Sequence, residues 1–414
     1  MTRDEQETVE SPGELKKTMN VRNVSLTSAI FNLTKSAVGV GTLYLHARLY
    51  RLGFGLGLAV LLLAATMSTL SLHLLSRLAH NCGTGDYFVI GKQALGRFGE
   101  LSTSVALLLF LLAALIYYCF FAGKYLQETL DYLNVDYSGF ASLTYAVPAL
   151  LCMFPLACLR DLSALSVASV AGMVSMIGVM LLVVYYYFTT GEPKLSLAQA
   201  FAYPNDIGPA AWGAFGGIIF AFVNHFTVVS LMPVLQRPTA ARRACLNVAS
   251  TLASLLVYLP CAVCGYLMFK ENPKVGSLLS VENNVMFAIA RAVVGCVVML
   301  SFPLLLDPAR STLAAFLPIE DSPARHYGLT FGLTFVPLLV VLKFGNDCDG
   351  ILSLISAMCG SILVFIAPPI FFLSLQGKMV VHGYERISAY ALLVFGLIAL
   401  VTGTYSSYMG LIGK

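Results

Sequence analysis

The sequence predicts an all-α integral membrane protein of eleven transmembrane helices. Hydrophobic residues fill 58% of the 414 positions and charged residues only 11%, whereas soluble domains run near ~45–50% apolar and ~25% charged. The apolar residues come in runs long enough to cross ~30 Å of hydrocarbon, which takes ~20 helical residues. Turn formers and charges separate the runs, and no polar stretch is long enough to bury a core of its own. The net charge of +4 is small, and no basic, aromatic-laced stretch points to a nucleic-acid partner.

Residues 1–24 are polar and mixed in charge, with Asp4, Glu5, Glu7, Glu10 and Glu14 beside Lys16, Lys17 and Arg22. They lack the basic-then-apolar pattern of a cleaved signal, so the first apolar run is expected to stay as a span. The runs fall at about 25–46, 53–77, 101–127, 140–159, 163–189, 211–235, 246–269, 285–307, 327–344, 351–375 and 388–411. Arg160-Asp161-Leu162 makes a tight hairpin between the fourth and fifth. This divides the chain into a cytosolic tail (1–24), a first five-helix group (25–189), an outer loop (190–210), a second five-helix group (211–375), and an eleventh helix with a short C-terminus (376–414).

Orientation follows from the Lys and Arg distribution. Of the 25 such residues, fifteen lie on the N-terminal side and eight on the other, with Lys35 and Arg291 inside spans. The N-terminus is therefore expected in the cytosol. Cys82 and Cys348 then face opposite compartments and the other eight cysteines lie in apolar segments, so no disulfide framework is expected. Cys261 and Cys264 have CxxC spacing, but inside an apolar run, where helix packing explains them better than metal or redox chemistry. The two glycosylation sequons, at Asn23 and Asn32, fall in the cytosol and the membrane and should stay unmodified.

Two spans carry residues that a plain lipid-facing helix would not. The first reads Lys35-Ser-Ala-Val-Gly39-Val40-Gly41-Thr42, with a lysine one turn before two glycines. Each glycine loosens a helix by ~1 kcal/mol relative to alanine, and an ionised amine at the bilayer centre needs a partner or water. The sixth holds Gly213, Gly216 and Gly217, then Phe220-Ala-Phe222-Val-Asn224-His225. Small residues that let helices pack closely would leave a similar trace. Yet these segments open two matching groups of five spans, and interrupted helices at matching places point to an inverted-repeat transporter. Its substrate would sit where helix N-termini meet a carboxylate and freed carbonyls meet a cation or amine.

The chain resembles the amino acid/auxin permease family of the APC superfamily over nearly its whole length. The resemblance rests on six blocks in order: the FNL-to-GxG start of the first span, the loop from Gly83 to Glu100, Pro155–Ser166, Phe220–His225, Phe302-Pro303…Pro308-Ala-Arg310, and Gly350–Leu375 with Pro368-Pro369. It implies a LeuT-type fold, a 5+5 inverted repeat plus one C-terminal helix. It also implies secondary amino acid transport, driven by protons or sodium, with substrate held between spans one, three, six, eight and ten. Two departures stand out: His46 where the family has proline, and Asp307 where an aromatic or aliphatic residue precedes PxR.

The substrate-binding candidates are Gly39, Val40, Gly41, Thr42, Phe220, Phe222, Asn224 and His225, with Tyr117 and Tyr118 as possible pocket walls. Lys35 and Ser301 are the cation-coupling candidates. The resemblance implies that proton-coupled members carry a lysine where sodium-coupled ones bind the ion through asparagine, and that Ser301 matches the eighth-span hydroxyl of the sodium site. Lysines also snorkel, and intramembrane serines often bond their own i−4 carbonyl. Arg291, Asp307 and Arg310 are the gating candidates, the last two as an i,i+3 ion pair. No cofactor is expected; the expected coupling ion is a proton, with sodium the alternative, and the expected partners are an amino acid and the bilayer. Gly83-Thr-Gly-Asp86 matches the GxGD of intramembrane aspartyl proteases, but it lies in a polar loop without a second suitable aspartate, so an enzyme is not expected. A nutrient sensor retaining the fold would need a larger tail than residues 1–24, and no channel filter is visible.

Overall fold

The computed structural model describes residues 24–160, 166–189, 196–202, 209–269, 277–280, 282–316, 322–345 and 348–412. Among these the structure is helical throughout, with a single parallel bridge between Val24 and Leu235. Among the described residues, nine helical segments are long and apolar enough to cross a membrane. The first span is two short helices, α1 (Leu26–Ala37) and α2 (Leu45–Leu52), joined by a 3-10 turn at Val40–Tyr44. Then come α3 (Phe54–Cys82) and α4 (Tyr87–Tyr132).

α4 is two helices end to end. Leu95 and Gly96 leave helical geometry, and Gly96 takes φ 64°, ψ −148°, a conformation open in practice only to glycine. The kink folds Gly91 against Gly99 so closely that a Cβ on either would collide with the other's backbone. The expected 140–159 span is short and irregular: α5 (Leu143–Val147), a π-helical turn at Pro148–Met153 and α6 (Phe154–Ala157). Pro148 and Pro155 each lack the N–H that a regular ladder needs. The hairpin after it lies mostly outside the described residues.

α7 (Ser166–Thr189) is followed by α8 (Leu197–Ala202), a short helix within the loop expected at 190–210. It starts on a capping box: Gln199 N–H donates to Ser196 Oγ while Ser196 N–H donates to Gln199 Oε1. The sixth span is again interrupted, as α9 (Pro209–Phe220) and α10 (His225–Leu231). α11 (Ala240–Phe269), α12 (Val285–Phe316) and α13 (Pro323–Phe344) follow. α14 (Cys348–Ser361) then passes through a π-helical turn at Ile362–Ile366 into α15 (Ala367–Leu375), and α16 (Gly383–Ile412) ends the fold.

α4 and α12 pack along each other, while α1 lies on α11, α10 and α7. α16 rests on α9 and α14. Small residues set the closest approaches, as they do in membranes. A Cβ on Gly216 of α9 would lie 3.3 Å from Gly403 Cα of α16, and one on Gly360 of α14 would collide with the Phe220 ring. Apolar side chains such as Leu62, Leu181, Leu256 and Val401 are exposed on the outside, the pattern of a bundle whose solvent is lipid rather than water.

Candidate functional site

Both interruptions predicted from the glycines and polar residues are present. α1 ends with Val38 N–H donating to Thr34 O, after which Val38 and Gly39 are extended (Gly39 φ −140°, ψ −162°). In the partner segment, Ala221, Phe222 and Val223 tighten into i−3 hydrogen bonds before Asn224 leaves helical geometry at φ −139°, ψ 18°. Each break leaves backbone groups without their i±4 partners, which other groups must satisfy.

Side chains from neighbouring helices do so. Tyr258 of α11 reaches both breaks, its hydroxyl 2.8 Å from Ala37 O and 2.5 Å from Ala221 O. One phenolic proton is thus shared between two freed carbonyls. Ser68 of α3 donates to Phe222 O at 3.2 Å. Asn224 Nδ2 donates to Leu33 O at 3.2 Å, and Ser36 Oγ lies 2.6 Å from Thr227 Oγ1, so α1 and α10 are laced together. The Phe222 ring meets Tyr258 edge-on at 5.2 Å.

The same region holds open space and unpartnered polar atoms. A Cβ added to Gly39 or Gly41 would meet no atom within 4 Å, and Gly41 is exposed although it sits in the middle of a span. Val40 and Thr42 turn inward and are buried. His225 is 1% exposed, yet neither ring nitrogen has a partner among the described residues, and Asn224 Oδ1 is likewise unmatched. Buried polar atoms are nearly always satisfied by protein, water or ligand.

Lys35 is half-buried in the last turn of α1 and makes no hydrogen bond or ion pair with any described residue. Its stem passes Gly172 of α7, where a Cβ would lie 3.7 Å from Lys35 Cε and 3.1 Å from Val297 Cγ1 of α12. Ser301 is one turn beyond Val297 on the same face of α12, is buried, and its hydroxyl has no partner among the described residues. The two coupling candidates are therefore brought to one region without bonding each other.

The arginines are engaged elsewhere. Arg291 is buried, its Nη1 donating to Leu279 O (3.1 Å) and Glu282 O (3.2 Å) and its Nη2 to Asn283 Oδ1 (3.0 Å), which staples the loop before α12 to that helix. Arg310 Nη2 meets Asp307 Oδ1 at 2.5 Å, while Nη1 donates to Ala157 O (3.3 Å) and Thr330 Oγ1 (3.1 Å). It thus ties α12 to α6 and α13. Tyr117 stacks on Phe121 at 5.8 Å and reaches Ser353 Oγ at 3.4 Å, bridging α4 and α14.

The sequence profile of the family described as "Transmembrane amino acid transporter protein" matches residues 22–409. The chain belongs to that family. Among its relatives is the Bos taurus protein "Putative sodium-coupled neutral amino acid transporter 11", 28% identical over 411 residues, covering 97% of this chain and 86% of the relative. The Danio rerio protein of the same name is 25% identical over 393 residues, covering 92% and 85%. A solved structure, "Crystal structure of MhsT in complex with L-phenylalanine", superposes with a TM-score of 0.64 at 15% identity, over 92% of this chain and 98% of that one. That likeness fixes the helical fold. The family consists of transporters and not enzymes.

Sequence reasoning missed Tyr258 and Ser68. The available signal was a hydroxyl inside a hydrocarbon-length run, because a buried tyrosine O–H needs an acceptor. Which acceptor it finds depends on breaks nearly 40 and more than 200 residues away in the chain.

Proposed function

We propose that this family member is a secondary active transporter that carries a neutral amino acid by alternating access, coupled to protons or independent of sodium. Its spans number eleven, five plus five in inverted repeat and one more, with the N-terminus in the cytosol. The substrate lies between the two breaks. Gly39 and Gly41 present backbone to its carboxylate, as helix breaks do for anionic groups. Val40, Thr42, Phe220, Phe222, Asn224 and His225 line the remainder, and Asp307 with Arg310 fastens the inner side.

The observation that carries this reading is the open space at Gly39 and Gly41 in mid-span, beside the unpartnered His225 and Asn224 oxygen. Backbone exposed at membrane depth is tolerated only where it lines protein or a water-filled cavity. Lys35 supports sodium independence: a fixed ammonium near Ser301 supplies the positive charge that a bound ion would otherwise bring. It also disfavours a cationic substrate nearby. Tyr258 adds to this, since its hydroxyl occupies two of the freed carbonyls.

The relatives' names attribute sodium coupling to those proteins, so a sodium symporter is the reading to test against. In liposomes containing the purified protein, labelled neutral amino acids, starting with L-phenylalanine, should exchange by counterflow. Replacing sodium by choline should leave the flux unchanged. Absence of counterflow for every amino acid would reject transport in favour of a sensor; a steep loss in choline would establish sodium coupling.

A further inference from the structure

A cleft of about 540 Å³ opens at the end of the bundle where the chain enters, lined by the last turns of α3 beyond Ser68. Its size is within the ~300–1,000 Å³ range of small-molecule sites. His73, Arg77 and His80 are spaced i, i+4 and i+7, so they line one face of α3 over roughly 10 Å of rise. Across the cleft stand Arg243 in the first turn of α11, Lys378 in the turn after α15, and His382 beside the start of α16.

The one carboxylate in the lining, Glu385, is already committed. It is buried, and it accepts from Arg77 Nη1 and from His382 N–H (2.8 Å). Arg77 Nη2 also donates to Val380 O, and its guanidinium lies 5.9 Å from the centre of the Phe372 ring. With that pair closed, Arg243 and Lys378 remain without a carboxylate among the described residues. Among the described residues the Arg243 guanidinium donates only to Pro238 O, and Lys378 is exposed with no hydrogen bond or ion pair. Asn81 and Tyr384 add neutral hydrogen-bonding groups to the rim. The cleft therefore carries two uncompensated cations and three imidazoles around a space too large for a simple ion, at a level where helices give way to loops. Basic pockets between membrane helices at the cytosolic surface match phosphorylated lipid headgroups.

We infer that this cleft binds a polyanionic phosphate headgroup, such as a phosphoinositide of the leaflet it faces. The leaflet assignment rests on the orientation proposed above; the anion chemistry does not. The test uses full-length protein in phosphatidylcholine nanodiscs, with fluorescent inositol trisphosphate as probe and phosphatidylinositol bisphosphate in the disc as competitor. Wild type should bind the probe. The double variant Arg243→Gln, Lys378→Gln should bind roughly thirtyfold more weakly, as expected for loss of two basic residues at a membrane surface. Lys92→Gln, which removes an exposed cation paired with Glu100 outside the cleft, should bind like wild type. Competition by the lipid identifies the membrane as the source, and binding without competition identifies a soluble phosphate. No binding by wild type, or equal binding by all three proteins, overturns the inference. Amino acid counterflow and melting of the same samples are read separately, so a failure of the transport reading or of folding stays distinguishable.

Discussion

Removing the Tyr258 hydroxyl is the sharpest perturbation the structure offers. Tyr258→Phe keeps the ring, its edge contact with Phe222 and almost all of its volume, and deletes only the group that reaches Ala37 O and Ala221 O. Both carbonyls are then left without that donor in a buried place. Leaving a buried acceptor unsatisfied costs ~1–3 kcal/mol, and because one proton is shared between the two, the loss should lie within that range rather than double it. If the bond exists only while the two breaks lie side by side, this energy enters the conformational equilibrium directly. A shift of ~1–3 kcal/mol changes the population ratio by about 5- to 150-fold. The assay is initial uptake in liposomes alongside denaturant unfolding of the same preparation. The expected result is a stability loss of ~1–3 kcal/mol with uptake reduced at least about fivefold. Wild-type stability together with wild-type uptake would refute the claim that this hydroxyl fastens the breaks.

Lys35→Ala should abolish concentrative uptake while the protein still inserts and melts cooperatively; full accumulation by that variant would discard the cation role. Gly360→Ala should destabilise the fold by ~1–3 kcal/mol, the usual cost of overpacking, because the new methyl group would meet the Phe220 ring. Shrinking that ring in Gly360→Ala, Phe220→Leu should recover part of the loss, which a double-mutant cycle measures. Arg310→Ala should lower stability by ~1–3 kcal/mol by unpairing a half-buried network that spans α6, α12 and α13. An unchanged unfolding midpoint would mean that those bonds do not hold the helices together.

The membrane class was legible because composition and run length are local properties, and so were the breaks, since Gly39, Gly41 and the Asn224-His225 pair carry their intolerance of a lipid-facing helix in their own chemistry. The Asp307–Arg310 pair was also readable, being set by i,i+3 spacing alone. The destination of Arg291 was not. Its place inside a span suggested a gating charge, while its three hydrogen bonds go to a loop whose path no helical periodicity specifies. Tyr258 stayed hidden for the same reason: its acceptors come from two distant segments and become acceptors only because those segments unwind. The short α8 escaped notice although Ser196 and Gln199 spell a capping box, because six residues generate too little apolar periodicity to register.

The near-contact of Gly216 with Gly403 has a practical corollary. With no side chain on either side, α9 and α16 are seated backbone to backbone, so the last helix is mechanically bound to one half of the broken sixth span. A bulky tag or a spin label near the end of α16 would report on that half, and would load it. Clipping the C-terminal helix away would strip α9 of its cover and hand a glycine-lined seam to lipid, which makes tail truncation a poor route to a better-behaved sample.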